Sequence, residues 1–214
     1  MKNNITELVF ILDRSGSMAG LVSDTIGGFN SVIERQKKKN GTCYVTTVLF
    51  DTRFSTLHDR VPLADVKPMT DREYVPGGCT ALLDAVGDTI RHIARIHRYA
   101  RAEDVPENTI FVITTDGLEN ASRHYRADEI RRMVEHEQEK YGWQFLFLGA
   151  NIDAFDAAEA IGILAERTTN FHADSIGTRA AFDSVDEAVC CARMSMPVRA
   201  DWKSKVEDDY NNRK

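Results

Sequence analysis

Apolar positions along this chain switch between two periods, and the switches mark out its elements. Residues 5 to 12 form a near-continuous apolar run that predicts a buried strand. Leu21, Ile26, Phe29, Val32 and Ile33 then recur at helical spacing, predicting an amphipathic helix over 21 to 39 that Asn40-Gly41 stops. The β-branched and aromatic run at 42 to 50 predicts a second strand. Asp51-Thr52 turns it into a short strand at 53 to 59, which makes a hairpin and therefore one antiparallel pair. Residues 60 to 79 carry Pro62, Pro68, Pro76, Gly77 and Gly78 and read as irregular.

From residue 80 to 101, Leu82, Leu83, Val86, Ile90, Ile93 and Ile96 share one face of a long helix. A strand at 109 to 115 ends at Asp116, and a charged helix at 127 to 141 turns Ile130 and Val134 inward. Residues 143 to 149 predict another buried strand. A short helix near 153 to 161, a weak strand near 166 to 171 and a helix at 177 to 193 follow. The stretch after Pro197 is polar and charged and predicts a frayed tail, so residues 1–195 are expected as the folded domain and 196–214 as a polar tail. Alternation of strands and helices at these lengths predicts an α/β protein. Its sheet is expected to be open, mostly parallel and covered on both faces, with ligands gathering beyond the carboxyl ends of the strands.

Bulk composition narrows the class. With 43% hydrophobic and 28% charged residues, the 214-residue chain has the composition of an ordinary globular protein with one core. Its apolar runs are strand-sized, and Met-Lys-Asn-Asn-Ile-Thr-Glu lacks the apolar stretch of a secretion signal, so a cytoplasmic location and no membrane partner are expected. A net charge of −6 argues against general nucleic-acid affinity. The run Lys37-Lys38-Lys39 reads as positive charge at a helix end. No Cys-x-x-Cys spacing occurs; Cys43, Cys190 and Cys191 read as small buried apolar residues, and Cys79 as a partly exposed thiol.

Candidate chemistry sits at the strand ends. Asp13, Ser15 and Ser17 alternate in a tight turn after the first strand, Thr80 follows Gly77-Gly78-Cys79 ahead of a helix, and Asp116 closes the strand at 109 to 115. Carboxylates and neutral hydroxyls suit a hard divalent cation such as Mg2+. Each piece taken alone has a simpler reading, because Ser, Thr and Asp after a strand often cap the next helix. Together they form a three-part constellation on one edge of the expected sheet.

This constellation resembles the metal-ion-dependent adhesion site of von Willebrand factor A (VWA) domains. The strings Gly-Gly-Cys-Thr-Ala-Leu-Leu-Asp-Ala and Thr-Thr-Asp-Gly-Leu-Glu-Asn are similar to those of bacterial members, and the likeness covers about residues 5 to 165. It implies a three-layer Rossmann-like VWA fold with a mostly parallel six-stranded sheet, one antiparallel edge strand and helices on both faces. It also implies Mg2+, or Mn2+ or Ca2+ in its place, held by Asp13, Ser15, Ser17, Thr80 and Asp116. One open position would accept an Asp or Glu of a protein partner. Similar bacterial domains work beside AAA+ ATPases or in stress-response complexes, which makes such a component the implied partner.

Two rival functions remain at this point. An aspartate-ended strand beside Mg2+ is also similar to haloacid-dehalogenase-like phosphotransferases, which use Asp-x-Asp, but position 15 is Ser here and no phosphate-cradling Gly-x-x-x-x-Gly-Lys loop occurs. The six histidines show no arrangement that would activate Ser17, and each reads as a surface or packing residue. An ion with a purely structural role is the third reading. Arg14 is expected to point outward, Glu119 to act as a helix-start carboxylate, and Arg123, His124 and Tyr125 to offer contacts near Asp116.

Overall fold

The computed structural model describes residues 4–213. Six strands form one sheet: β1 (Ile5–Asp13), β2 (Thr42–Phe50), β3 (Phe54–Pro62), β4 (Asn108–Thr115), β5 (Gln144–Ala150) and β6 (Thr168–Phe171). Their order is β3-β2-β1-β4-β5-β6, and only the β2–β3 edge pair is antiparallel. The helices are α1 (Val22–Lys37), α2 (Leu82–Tyr99), α3 (Ala127–Tyr141), α4 (Ala154–Ala160), α5 (Ser175–Arg193) and α6 (Ser204–Asn212).

Strand alternation divides the interior into two cores. Leu8, Phe10 and Leu12 of β1 face α1 and α5, where they meet Phe29, Phe182 and Val185. Val9 and Ile11 face the other way, onto Val86 and Ile90 of α2 and Ile130 of α3. Because both faces of the central strands are covered, β1 and β4 read as continuous apolar runs rather than alternating ones. β1 lies in the middle of the sheet with parallel partners on either side, so the chain leaves it toward β2 and later returns on its other flank through β4. Strand order reverses there, and crossing connections diverge to leave a crevice at the carboxyl end of β1.

The expected tail is corrected. Residues 198–206 do not fray: Val198, Trp202 and Val206 are buried in the core beneath α5. Trp202 also donates its indole N–H to the carbonyl of Glu166 at 2.9 Å, and the Lys203 ammonium reaches the carbonyls of Ala165 and Thr168. Three apolar residues spaced four apart are enough to lay one face of a short helical segment onto the domain, though they are too sparse to stand out in a polar stretch. Cys43 is buried as expected, whereas Cys190 and Cys191 are only half-buried, Cys191 packing against the core that includes Trp202.

Trp202→Ala is therefore expected to lower the unfolding free energy by about 3–5 kcal/mol, as for other buried aromatic truncations. Denaturant unfolding checks this, and a loss within about 0.5 kcal/mol would return the segment to the status of a surface tail.

Candidate metal centre

The crevice beyond β1 collects all five residues singled out in the sequence. Asp13 is fully buried at the end of β1. Its Oδ1 accepts the Ser15 N–H at 2.6 Å and its Oδ2 accepts the Thr115 hydroxyl at 2.6 Å. This bond closes the turn and turns the chain so that Ser15 and Ser17 follow each other into the crevice. Their hydroxyl oxygens stand 3.1 Å apart, and Ser17 donates to Asp116 Oδ1 at 2.5 Å. Thr80 arrives from the other side. A Cβ placed on Gly117 would stand 3.0 Å from Thr80 Oγ1 and 3.7 Å from Ser17 Oγ, so the two hydroxyls converge over a glycine whose missing side chain leaves them room.

Helix capping does not account for these side chains. Ser15 precedes a 3-10 turn at Gly16–Leu21 but makes no side-chain cap bond to it. Thr80 is not the cap of α2, which begins after Ala81. The free N–H groups of that first turn go instead to Glu119 Oε2, from Leu83 at 2.9 Å, and to Ser122 Oγ, from Asp84 at 3.0 Å. Glu119 thus caps a helix as expected, but the helix is the one after Thr80 rather than the one that follows Glu119 in sequence. By doing so it releases the threonine hydroxyl from that duty.

The surrounding loops are tied by residues whose roles were not visible in sequence. Tyr74 is buried and donates its hydroxyl to the carbonyl of Asp13. The Asn120 side chain accepts the Thr80 N–H at 2.9 Å. The Asp84 carboxylate accepts three successive N–H groups, of Arg123, His124 and Tyr125, at 2.8, 2.9 and 3.0 Å. That clamp corrects the expectation for Tyr125: its ring is buried against the α2–α3 core and its hydroxyl bonds Asp88, while Arg123 and His124 remain exposed. Arg14 is corrected too. Its guanidinium folds back onto Asp51, Nε to Oδ2 at 2.9 Å, and ties the β1 turn to the β2–β3 hairpin.

Cys79, between the glycines and Thr80, is accommodated by its neighbour. Gly78 has φ of +69°, and a Cβ there would lie 2.6 Å from Thr52 Oγ1, the atom that accepts the Cys79 N–H. Only glycine meets both conditions without strain. The result is an exposed Cys79 beside a buried Thr80.

Electrostatics set the demand. Asp13 and Asp116 are both buried, and among the described residues neither has an ion-pair partner. Burial pushes the Asp13 carboxyl above its ordinary range against the hydrogen bonds from Thr115 and Ser15, and the neighbouring charge of Asp116 adds to the rise. Burial likewise raises Asp116, opposed by the Ser17 hydrogen bond. Two carboxylates held out of water with no cationic side chain beside them, next to three converging hydroxyls, are a donor set fitted to a hard divalent cation. No group of three or more His, Cys, Asp or Glu side chains placed to hold a metal ion occurs among the described residues, so a metal here would depend on the hydroxyls as well as the two carboxylates.

A scan of family models and a search of curated proteins each give no match to this sequence. Solved structures do match. The vWF domain of the type V pili tip protein Mfa5 from Porphyromonas gingivalis superposes with a TM-score of 0.66 at 10% identity, over 86% of this chain and 95% of that one. Proximal thread matrix protein 1 from the mussel byssus, with a zinc-occupied MIDAS motif, has a TM-score of 0.59 at 17% identity over 86% of this chain and 46% of its own. Manganese-loaded TRAP protein from Plasmodium vivax has a TM-score of 0.58 at 15% identity, over 84% and 72% of the two chains. The chain thus spans about half the length of the mussel protein. At these identities the likeness is one of fold: this chain has the α/β fold of VWA domains, with the expected six-stranded sheet and single antiparallel edge strand.

Raised carboxyl values mean that the native fold holds these protons more tightly than the unfolded chain does. In metal-free protein their stabilising contribution is complete below the ordinary carboxylate range and is lost as pH rises through the raised native values. Asp116→Asn removes one such charge while keeping an acceptor for Ser17. In chelator at pH 7 it is expected to melt no lower than wild type, and any gain should fade as pH falls into the carboxylate range, where wild-type Asp116 takes up its proton. A clear loss of stability at pH 7 would show that protein groups alone already satisfy the ionised carboxylate.

Proposed function

We propose that this chain is a Mg2+-dependent protein-interaction module, without catalytic activity, that captures an acidic side chain of a partner through a metal-ion-dependent adhesion site. The observation that carries the reading is the pair of buried, unpaired carboxylates, Asp13 and Asp116, joined by the Ser15, Ser17 and Thr80 hydroxyls. Those five residues would hold the ion, with Mn2+ or Ca2+ as substitutes. Mg2+ held there would supply a positive centre that few protein charges neutralise and that could attract a partner's carboxylate.

The chain's own residues prepare that capture. Asp13 spends its oxygens on Ser15 N–H and the Thr115 hydroxyl, which fixes the serine turn. Ser17 is exposed while Ser15 and Thr80 are buried, so the donor set opens to solvent on the serine side. That opening favours a binding role over a fully enclosed structural ion. A phosphotransferase or hydrolase has less support, because Ser15 stands where the second acid is needed. The hydrogen-bonded histidines also serve other sites: His58 pairs with Thr47, His92 with Asp59, and His172 with a backbone carbonyl. The metal-loaded solved structures named above, one with zinc and one with manganese, support the metal-binding part of the reading.

The partner we infer is a protein presenting Asp or Glu, such as an AAA+ ATPase or a component of a stress-response complex, met in a bacterial cytoplasm. No helix among the described residues is long and apolar enough to cross a membrane.

Calorimetric titration of metal-stripped protein with Mg2+ and Mn2+ tests the site. Saturable binding is expected in wild type and its loss in Asp13→Ala and in Ser15→Ala/Ser17→Ala, with both variants folded. At a hundred times its Kd the ion should add about 2.7 kcal/mol to the stability of wild type alone. Absence of binding in wild type would remove the basis of the proposal, and collapse of the variants in the absence of metal would favour a structural role for these residues.

A further inference from the structure

A second notable surface lies toward the other end of the sheet. α2 begins at the metal centre and runs for 18 residues, about 27 Å, to Tyr99. Along its far half, Arg91, Arg95 and Arg98 recur at i, i+4 and i+7 and stand on one face, exposed. None of the three has a carboxylate within ion-pairing distance among the described residues, whereas Arg14, Arg35, Arg60 and Arg213 each engage one. Like charges at these spacings repel, so the helix carries this row at a cost to itself. Arg132 of α3, braced by Asp128, adds a fourth guanidinium across the gap.

The arginines border a groove of about 540 Å³ between α2 and α3, with Ile90, Ala94 and Met133 supplying apolar lining. It adjoins a smaller cavity of about 300 Å³ with which it shares Ala94, Arg98, His136 and Glu137. That cavity is walled by Trp143, Val105 and Pro106, just ahead of β5 and β4 and so at the amino ends of the parallel strands. Glu137 is itself buried in this lining, and its Oε2 has no hydrogen-bond partner in the protein. Burial raises its carboxyl above the ordinary range, against the nearby positive charge of His136, His97, Lys140 and Arg98.

We infer that the α2–α3 groove binds an acidic peptide segment of a partner protein, its carboxylates along the Arg91, Arg95 and Arg98 row and an apolar side chain lodged against Trp143. Charge complementarity selects the occupant. A row of arginines without carboxylate partners, of which Arg91 alone stacks on a ring, that of Tyr125 at 4.9 Å, is a local reversal of sign on a chain of net charge −6. A row spread over two helical turns matches charges repeated along an extended chain better than one compact anion. The apolar lining and the cavity at Trp143 match the aromatic and arginine anchors that dominate protein interfaces. This surface does not involve the metal centre, so both can be engaged at once.

Fluorescence anisotropy of the full chain in EDTA, which silences any metal-dependent capture of carboxylates, tests the inference. The probe is a fluorescein-labelled peptide of glutamates around a central tryptophan. Wild type should bind it saturably and more weakly as salt rises. Arg95→Glu/Arg98→Glu should weaken binding by about tenfold or more, while Lys38→Glu/Lys39→Glu leaves it unchanged. In wild type, peptide-induced amide NMR shifts should cluster at residues 91–98 and 132–137, a readout that stands even if the variant misfolds. The inference is overturned by lack of saturable binding, by equal binding of the peptide with glutamine for glutamate, by shifts located elsewhere, or by single-stranded DNA or inorganic phosphate outcompeting the peptide.

Discussion

Everything at the carboxyl edge of this sheet follows from burying two carboxylates without giving them a cation. Asp13 ends the central strand with no solvent exposure, and Asp116 lies close enough for its charge to raise the Asp13 carboxyl. An isolated buried charge is expensive, and the protein offsets that cost only in part, through hydrogen bonds from Ser15, Thr115 and Ser17. The nearest candidate for a counter-charge, Arg14, is committed to Asp51 instead. A site left in electrostatic deficit by its own fold is one that gains from a divalent ion.

The scaffold meets a second requirement, which is to keep the hydroxyls free of helix capping. Ser and Thr beside helix starts readily satisfy backbone N–H groups, and here that work is transferred to other side chains. Glu119 and Ser122 cap α2, and Asp84 clamps the loop from Arg123 to Tyr125. These bonds cross between the loop that carries Thr80 and the loop that carries Asp116, so side chains outside the site, accepting backbone N–H groups, help set the two relative to each other. The same logic places Tyr74 under the β1 turn, where its hydroxyl meets the Asp13 carbonyl.

Much of this was legible in sequence because the signals are periodic or local. β2 at Thr42–Phe50 and α3 at Ala127–Tyr141 fall where hydrophobic spacing puts them, and the antiparallel edge pair follows from the turn signal at Asp51-Thr52, which the structure closes with three residues, 51–53. The five candidate residues stand out because they end strands on one sheet edge. What was hidden depends on contacts distant in sequence. Tyr74 sits in an aperiodic stretch, so nothing local marks it as buried. Thr80 looks like a helix cap until Glu119, 39 positions later, is seen to do the capping. Val198, Trp202 and Val206 are three apolar residues in a charged background, and only the exposed flank of α5 gives them something to cover.

The central claim is that the Asp13–Asp116 centre holds an ion with a position open to a partner's carboxylate. Water-proton relaxation of the Mn2+-loaded protein tests this directly, because it reports water exchanging on the metal itself. The account predicts enhanced relaxation from bound exchangeable water, and a fall in that enhancement when a glutamate-bearing peptide is added but not when its glutamine counterpart is. Enhancement absent from the start, or unchanged by the carboxylate, would contradict it and leave the ion, if bound at all, enclosed by the protein.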